Sequence, residues 1–199
     1  MNKYHELTLP NKANKLLLHS CCAPCSSAIM ELLLANNIKY TVFFYNPNIH
    51  PTEEYERRKN ENLRFANKYN IPFVDLDNNQ EEWFKATKHL AAEPERGKRC
   101  TICFNLRLEH AALYCVQNNF TVFTSSLGIS RHKDMTVINN CGINVAARYN
   151  NLTYWTYDWR KVCSPQLMAE ISQQENFYRQ KYCGCVFSFK TEPLTEPSQ

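Results

Sequence analysis

The stretch His19-Ser20-Cys21-Cys22-Ala23-Pro24-Cys25-Ser26-Ser27 limits what this chain can fold into more than any other. It follows the apolar run Leu16-Leu17-Leu18 and precedes the helix-like run Ala28-Ile29-Met30-Glu31-Leu32-Leu33-Leu34. That order predicts a strand at about 15–20, a tight turn and a helix. Three thiols then lie in the turn, in front of a helix N-terminus whose unpaired N–H groups and partial positive charge favour thiolates and anions. Pro24 stiffens the turn, and Ser26 or Ser27 can cap the helix. The plain alternative is three small buried thiols in a strand-to-helix corner.

The rest of the chain repeats the alternation. Tyr40-Thr41-Val42-Phe43-Phe44-Tyr45 reads as a strand that stops at Asn46-Pro47-Asn48. Glu53 to Tyr69 reads as a charged helix, Ile71 to Leu76 as a third strand, and Glu81 to Leu90 as a short helix. A charged loop, Glu93 to Arg99, leads into Cys100, and a helix follows from Cys103 to Asn118. Phe120 to Thr124 is a fourth strand, His132 to Ala147 a helix, and Leu152 to Asp158 a fifth strand. Ser164-Pro165 opens a final helix expected to run to Tyr182. Such alternation predicts a mostly parallel sheet flanked by helices, an α/β Rossmann-like fold with its site at the carboxyl ends of the strands. Cys21, Asn46 and Ser125 all fall at those ends. The expected organisation is a polar arm (1–14), one α/β domain (15–190) and a disordered tail (191–199).

Ten cysteines in 199 residues are many. The first residues lack the apolar region of a secretion signal, and no apolar run is long enough to span a membrane. The expected setting is therefore the cytoplasm, where thiols stay reduced and clustered cysteines serve metals or redox chemistry. Seven fall into three groups: Cys21-Cys22 with Cys25, Cys100-x-x-Cys103, and Cys183-Gly184-Cys185. A Cys-x-x-Cys pair lets two sulfurs grip one metal or cluster, and three groups on one chain make that signal strong. A structural zinc is the rival, but seven thiols exceed its four ligands, and Phe104 stands where zinc knuckles usually place glycine. Cys115 and Cys141 lie in register with apolar helix faces and read as core thiols, whereas Cys163 carries little information. A single glycine between Cys183 and Cys185 permits a small, labile disulfide; two metal ligands are the alternative.

The net charge of +4 permits an anionic partner without demanding one. Tyr178-Arg179-Gln180-Lys181-Tyr182 interleaves basic and aromatic side chains in a way that suits phosphate contact and base stacking, or a solvated helix face. Arg57-Arg58-Lys59 and Arg96-Gly97-Lys98-Arg99 add positive charge, and Arg131, His132 and Lys133 follow the fourth strand, where a phosphate could be held.

Five segments carry a resemblance: His19 to Cys25, Tyr45 to Pro51, Glu93 to Gly97, Arg99 to Cys103, and Tyr178 to Cys185. Together they resemble the motifs of QueH, the cobalamin-independent epoxyqueuosine reductase family, over about residues 15–190. The resemblance implies an iron–sulfur enzyme that reduces epoxyqueuosine in tRNA to queuosine, with an external electron donor. By position it implies that Cys21, Cys22, Cys100 and Cys103 hold a 4Fe-4S cluster and that Cys183 and Cys185 form a redox-active pair. It leaves open how ligands divide between the cluster and a possible second, mononuclear iron, and with that the places of Cys25, a possible further ligand, and Asp158. His19, Asp158 or a thiol could supply protons. Tyr178, Arg179, Lys181, Arg96, Lys98 and Arg131 are the candidate tRNA contacts. Two other classes stand beside this reading. A zinc-stabilised RNA-binding module would carry zinc without sulfide. An ATP-using enzyme of the pyrophosphatase-loop kind would place glycine and serine where this chain has cysteine, alanine and proline.

Overall fold

The structure, a computed structural model, describes residues 5–76 and 80–188. Five strands, β1 (Leu16–His19), β2 (Tyr40–Phe44), β3 (Phe73–Asp75), β4 (Val122–Ser125) and β5 (Thr153–Tyr154), pair in parallel in the order β3-β2-β1-β4-β5. Among the described residues six α-helices accompany them: α1 (Ala23–Ala35), α2 (Thr52–Lys68), α3 (Gln80–Thr87), α4 (Lys98–Gln117), α5 (Met135–Ala146) and α6 (Pro165–Gln174). α1 packs with α2 and α6, and α4 packs with α3 and α5. The expected parallel α/β architecture is therefore present.

β1 sits at the centre. All four of its residues are buried, as a strand covered on both faces requires. The strand order reverses at β1: one run of the chain builds outward through β2 and β3, the other through β4 and β5. His19 pairs in register with Phe43 on one side and Ser125 on the other. The crevice beyond the carboxyl ends of β1 and β4 is thus the topological switch point, where such sheets bind ligands.

Asparagine ends four of the six helices. Asn37, Asn70, Asn119 and Asn176 adopt left-handed φ values of 50–56°. In each case the next residue, Ile38, Ile71, Phe120 or Phe177, sends its N–H back to a carbonyl of the last helical turn. This is the Schellman stop, with asparagine in the place usually taken by glycine. The chain has only four glycines, so asparagine supplies the left-handed turn.

That stop corrects one expectation. α6 ends at Gln174, not Tyr182. Phe177 then packs edge-on to Phe65, with ring centroids 5.5 Å apart, and the chain runs on as a non-helical strap over residues 177–185. Two other helix starts move. α4 begins at Lys98, because the Glu93 carboxylate accepts the Lys98 N–H and satisfies a first-turn donor. Cys100 and Cys103 therefore both lie on the helix, one turn apart. α5 starts after Asp134, whose side chain caps Thr136 and Val137. Neither Ser26 nor Ser27 caps α1; Ser26 Oγ bonds back to the Cys22 carbonyl.

Of the expected arm, Leu7 is buried and donates its N–H to Asn36 Oδ1. The expected tail, 191–199, lies outside the described residues. Cys115, Cys141 and Cys163 are all buried among core side chains. Among the described residues no helix is long and apolar enough to cross a membrane.

Candidate active site at the strand switch point

Cys21, Cys22 and Cys25 come together where β1 passes into α1. Their sulfurs lie within 4.8 Å of one another. The turn is braced from below. Ser20 Oγ bonds Asn62 Oδ1 and Ser26 Oγ, each at 2.6 Å. Ser126, at the end of β4, accepts the Cys21 N–H at 3.1 Å and donates to Cys21 Sγ at 3.4 Å. Asn46, at the end of β2, donates to the Ser20 carbonyl and accepts from Arg107. Cys21 and Asn46 thus line one crevice, as predicted, whereas Ser125 bonds the buried His19 and its neighbour Ser126 braces the cysteine turn.

The three thiols share charge unequally. Hydrogen bonds from Cys22 and Cys25, then the cations Lys133 and Arg107, hold Cys21 well below the usual thiol range despite burial. The same sharing pushes Cys22 up to about 12 and raises Cys25. One thiolate held by two thiols is the state that a metal-free cluster of cysteines can reach in a dry site.

A small cleft opens beside this trio. Its walls include Cys21, Asn48, Arg107, Lys133, Gln180 and Cys183. Lys133 is half-buried as a residue, but its ammonium turns inward. Burial opposes its charge, yet the neighbouring Cys183, Cys21, Cys25 and Cys22 outweigh burial and its pKa is raised. Two arginines shape the loop that delivers it. Arg160 donates to the carbonyls of Gly128, Ser130 and Lys133. Arg96 donates to those of Arg131 and His132.

The strap 177–185 crosses the cleft and is pinned to α2. Arg58, buried and paired with Glu54 at 2.7 Å, donates to the carbonyls of Tyr182 and Cys183, each at 3.1 Å. The Tyr178 N–H donates to Glu61, and its ring lies 4.5 Å from the Arg57 guanidinium. Gly184 sits at φ +99°, and a Cβ there would come within 3.0 Å of Arg58 and Ile49. Gln180 donates to Cys22 Sγ at 3.2 Å, so the strap touches the trio directly.

The remaining sequence candidates are placed as follows. Cys100 and Cys103 stand outside the tight trio; Cys183 is near enough to act on both electrostatically. Burial raises the Cys103 pKa, while Arg107 and the Trp83 indole, acting as donors, pull it down. Cys185 lies near Cys103 and is pushed by burial up to about 12. All ten cysteines are free thiols, with Cys183 exposed. His19 is fully buried, with Nδ1 on Ser125 Oγ and Nε2 on the Tyr45 carbonyl. Burial and the Arg107 charge lower its pKa to about 3, so it is neutral at ordinary pH. Asp158 accepts the Arg160 N–H at the head of the short turn Trp159–Lys161. Arg179, Lys181, Lys98 and Arg131 are exposed, and Tyr178 is half-buried. The Arg96 guanidinium is committed to loop carbonyls.

Sequence reasoning missed Arg107, Asn48, Gln180 and the structural part of Arg58. One signal was present for Arg107. Arg99, Cys103 and Arg107 recur at four-residue spacing on an otherwise apolar helix face, and arginine buried beside cysteine is unusual in a core. Arg99 uses that position to bind three carbonyls, those of Leu90, Ala91 and Glu93.

The donor set fits a metal cluster. Among the described residues, the buried Trp83 Nε1 and Arg107 Nε have no full hydrogen bond of their own, and both side chains act on Cys103 as donors. Buried donors beside a sulfur suit a thiolate, the form in which cysteine binds metal.

Comparison with known proteins gives this site its context. The family described as "Epoxyqueuosine reductase QueH" matches residues 16–191. A protein of that name from Acinetobacter baylyi is 57% identical over 93% of this chain and 85% of its own length. One from Haemophilus influenzae is 56% identical over 93% of this chain and 76% of its own. A more distant one from Streptococcus pyogenes is 37% identical over 90% and 72%. Matched across nearly the whole domain that builds the cysteine crevice, this chain belongs to the QueH family of epoxyqueuosine reductases.

Proposed function

We propose that the chain reduces epoxyqueuosine carried on tRNA to queuosine, with a 4Fe-4S cluster and the Cys183–Cys185 pair as its redox groups. The observation that carries this reading is the placement of Cys21, Cys22 and Cys25 at the strand switch point, with the Cys183 strap across the cleft beside them. Family membership supplies the substrate class. The reaction removes the epoxide oxygen to leave an alkene and water, and takes up two electrons and two protons. The electrons come from an external donor.

Cys21, Cys22, Cys100 and Cys103 would hold the cluster, which when bound supplies electrons one at a time. The tight approach of Cys25 to Cys21 and Cys22 supports it as a further ligand, with a second, mononuclear iron as the use for it. Cys183 lines the cleft and can face both a substrate and the neighbouring thiols. For the protons, Cys183 is better placed than His19, whose ring nitrogens are both engaged, or Asp158, whose carboxylate caps a turn. The exposed Arg179, Lys181, Lys98 and Arg131 offer phosphate contacts around the cleft. Arg96 serves that surface indirectly, by fixing the loop that bears Arg131.

The test is iron and sulfide analysis of anaerobically purified protein, together with nucleoside analysis of tRNA before and after incubation with a reductant. Iron, sulfide and conversion to queuosine are expected. Cys100→Ser or Cys103→Ser should abolish colour and conversion together. Cys183→Ser should keep the cluster spectrum and lose conversion. Stoichiometric zinc without sulfide would replace this reading with the RNA-binding module.

A further inference from the structure

Two cations at the cysteine crevice have no carboxylate to balance them. Arg107, from the middle of α4, is only 2% exposed. Its guanidinium donates to the neutral amide of Asn46, and its Nε–H is buried without a full hydrogen bond. Lys133 comes from the loop between β4 and α5 and lines the same small cleft as Arg107, Cys21 and Cys183. Among the described residues neither cation pairs with a carboxylate. Arg58, in the same wall, shows the contrast: Glu54 matches its charge at 2.7 Å. A buried cation without a counter-charge is strongly unfavourable, so its presence points to an anion that belongs beside it.

The cleft has room for about one water, too little for a phosphate or a substrate ring. The anion therefore belongs to the walls, and the walls supply sulfur. Arg107 acts on Cys103 and on Cys21, one thiol from each of the two groups that would hold the cluster. Lys133 acts on Cys183 and on all three thiols of the trio. We propose that Arg107 and Lys133 are the counter-cations of the cluster: their unbalanced charges favour the form that carries the extra electron and set the potential at which an external donor can reduce it. This rests on the reading of the chain as an iron–sulfur reductase. Thiolate ligands make such a group anionic, and an added electron makes it more so; its potential follows the net charge and the hydrogen bonds around the sulfurs. The step concerned is the transfer of one electron from the donor, with no bond made or broken at either cation. At an effective dielectric of about 20, a unit charge about 10 Å away changes such an equilibrium by roughly tenfold or more.

The experiment is a spectroelectrochemical titration of the anaerobic, cluster-loaded wild type, Lys133→Met, Lys133→Arg and Arg107→Gln, with iron and sulfide content and a melting curve for each. Removing one positive charge makes reduction harder. The one-electron constant should fall at least tenfold in Lys133→Met and in Arg107→Gln, a drop of about 59 mV or more in midpoint potential. Lys133→Arg keeps the charge and should stay within about threefold of the wild type. Lys133 lies on a loop and is half-buried, so its two variants decide the matter if Arg107→Gln does not fold. A Lys133→Met potential within about threefold of the wild type in that constant overturns the proposal and leaves the reductase reading standing. So does an equal drop in Lys133→Met and Lys133→Arg, which would trace to shape and not to charge. A Lys133→Met that folds but loads no cluster also overturns it, because the cation would then serve assembly. A wild type without iron and sulfide overturns the reductase reading and this proposal with it.

Discussion

Replacing Arg58 with methionine tests the clamp on which the cleft depends. Arg58 is 3% exposed and its partner Glu54 7%. The guanidinium pairs with Glu54 and donates to the Tyr182 and Cys183 carbonyls. Arg58→Met leaves the Glu54 carboxylate buried without its cation and frees two strap carbonyls. Breaking one side of a buried pair costs about 3–5 kcal/mol. At about 2–4 °C per kcal/mol for a chain of this size, the melting temperature should fall by roughly 6–20 °C. The companion Arg58→Met/Glu54→Met removes the orphaned charge and should recover most of that loss. The strap should stay loose in both, because neither variant binds its carbonyls. Urea unfolding reads the first effect. Trypsin reads the second, through faster cleavage at Arg179 and Lys181. A single variant within about 1 kcal/mol of the wild type would refute the clamp. So would a double variant no more stable than the single, or cleavage at the wild-type rate.

Three further outcomes follow from local geometry. Asn176→Ala should destabilise by about 1 kcal/mol and Asn176→Gly should not, because alanine resists the left-handed turn that stops α6; urea midpoints check both. Gly142→Ala should cost about 1–3 kcal/mol by thermal melting, since its Cβ would fall 2.4 Å from the buried Tyr154 ring, itself packed on Phe123. Glu175, held by Lys68 and then Arg64, has a lowered pKa in the folded chain. Its stabilisation is therefore complete above the ordinary carboxylate value and is lost as pH falls through the folded one, so Glu175→Gln should flatten that part of the acid limb of a stability–pH curve.

The amino-acid sequence by itself determined the order of strands and helices and the position of the cysteine turn. Both are local matters. A strand reads from a short run of apolar and β-branched residues, and a helix from its period. The helix stops were equally local. Asn176-Phe177 repeats the pattern of Asn37-Ile38, Asn70-Ile71 and Asn119-Phe120, so the end of α6 was legible even though the basic and aromatic run after it suggested more helix.

What the sequence could not decide depends on pairs far apart in the chain. Nothing near Arg58 says that its guanidinium will hold carbonyls 124 and 125 residues away, nor does His19 announce Ser125, 106 residues on. The same holds for Arg96, a basic surface residue in sequence and a loop brace in the fold. Spacing already placed Cys25 with Cys21 and Cys22, and only the resemblance joined Cys100 and Cys103 to them; the fold brings the first three within 4.8 Å of one another and sets the α4 pair near Cys183. Asn48 and Gln180 share one cleft only because the strap and the turn after β2 meet in the fold. Local propensity fixes the elements, but which polar atoms are left without partners depends on how the elements close on one another, and only the tertiary structure records that.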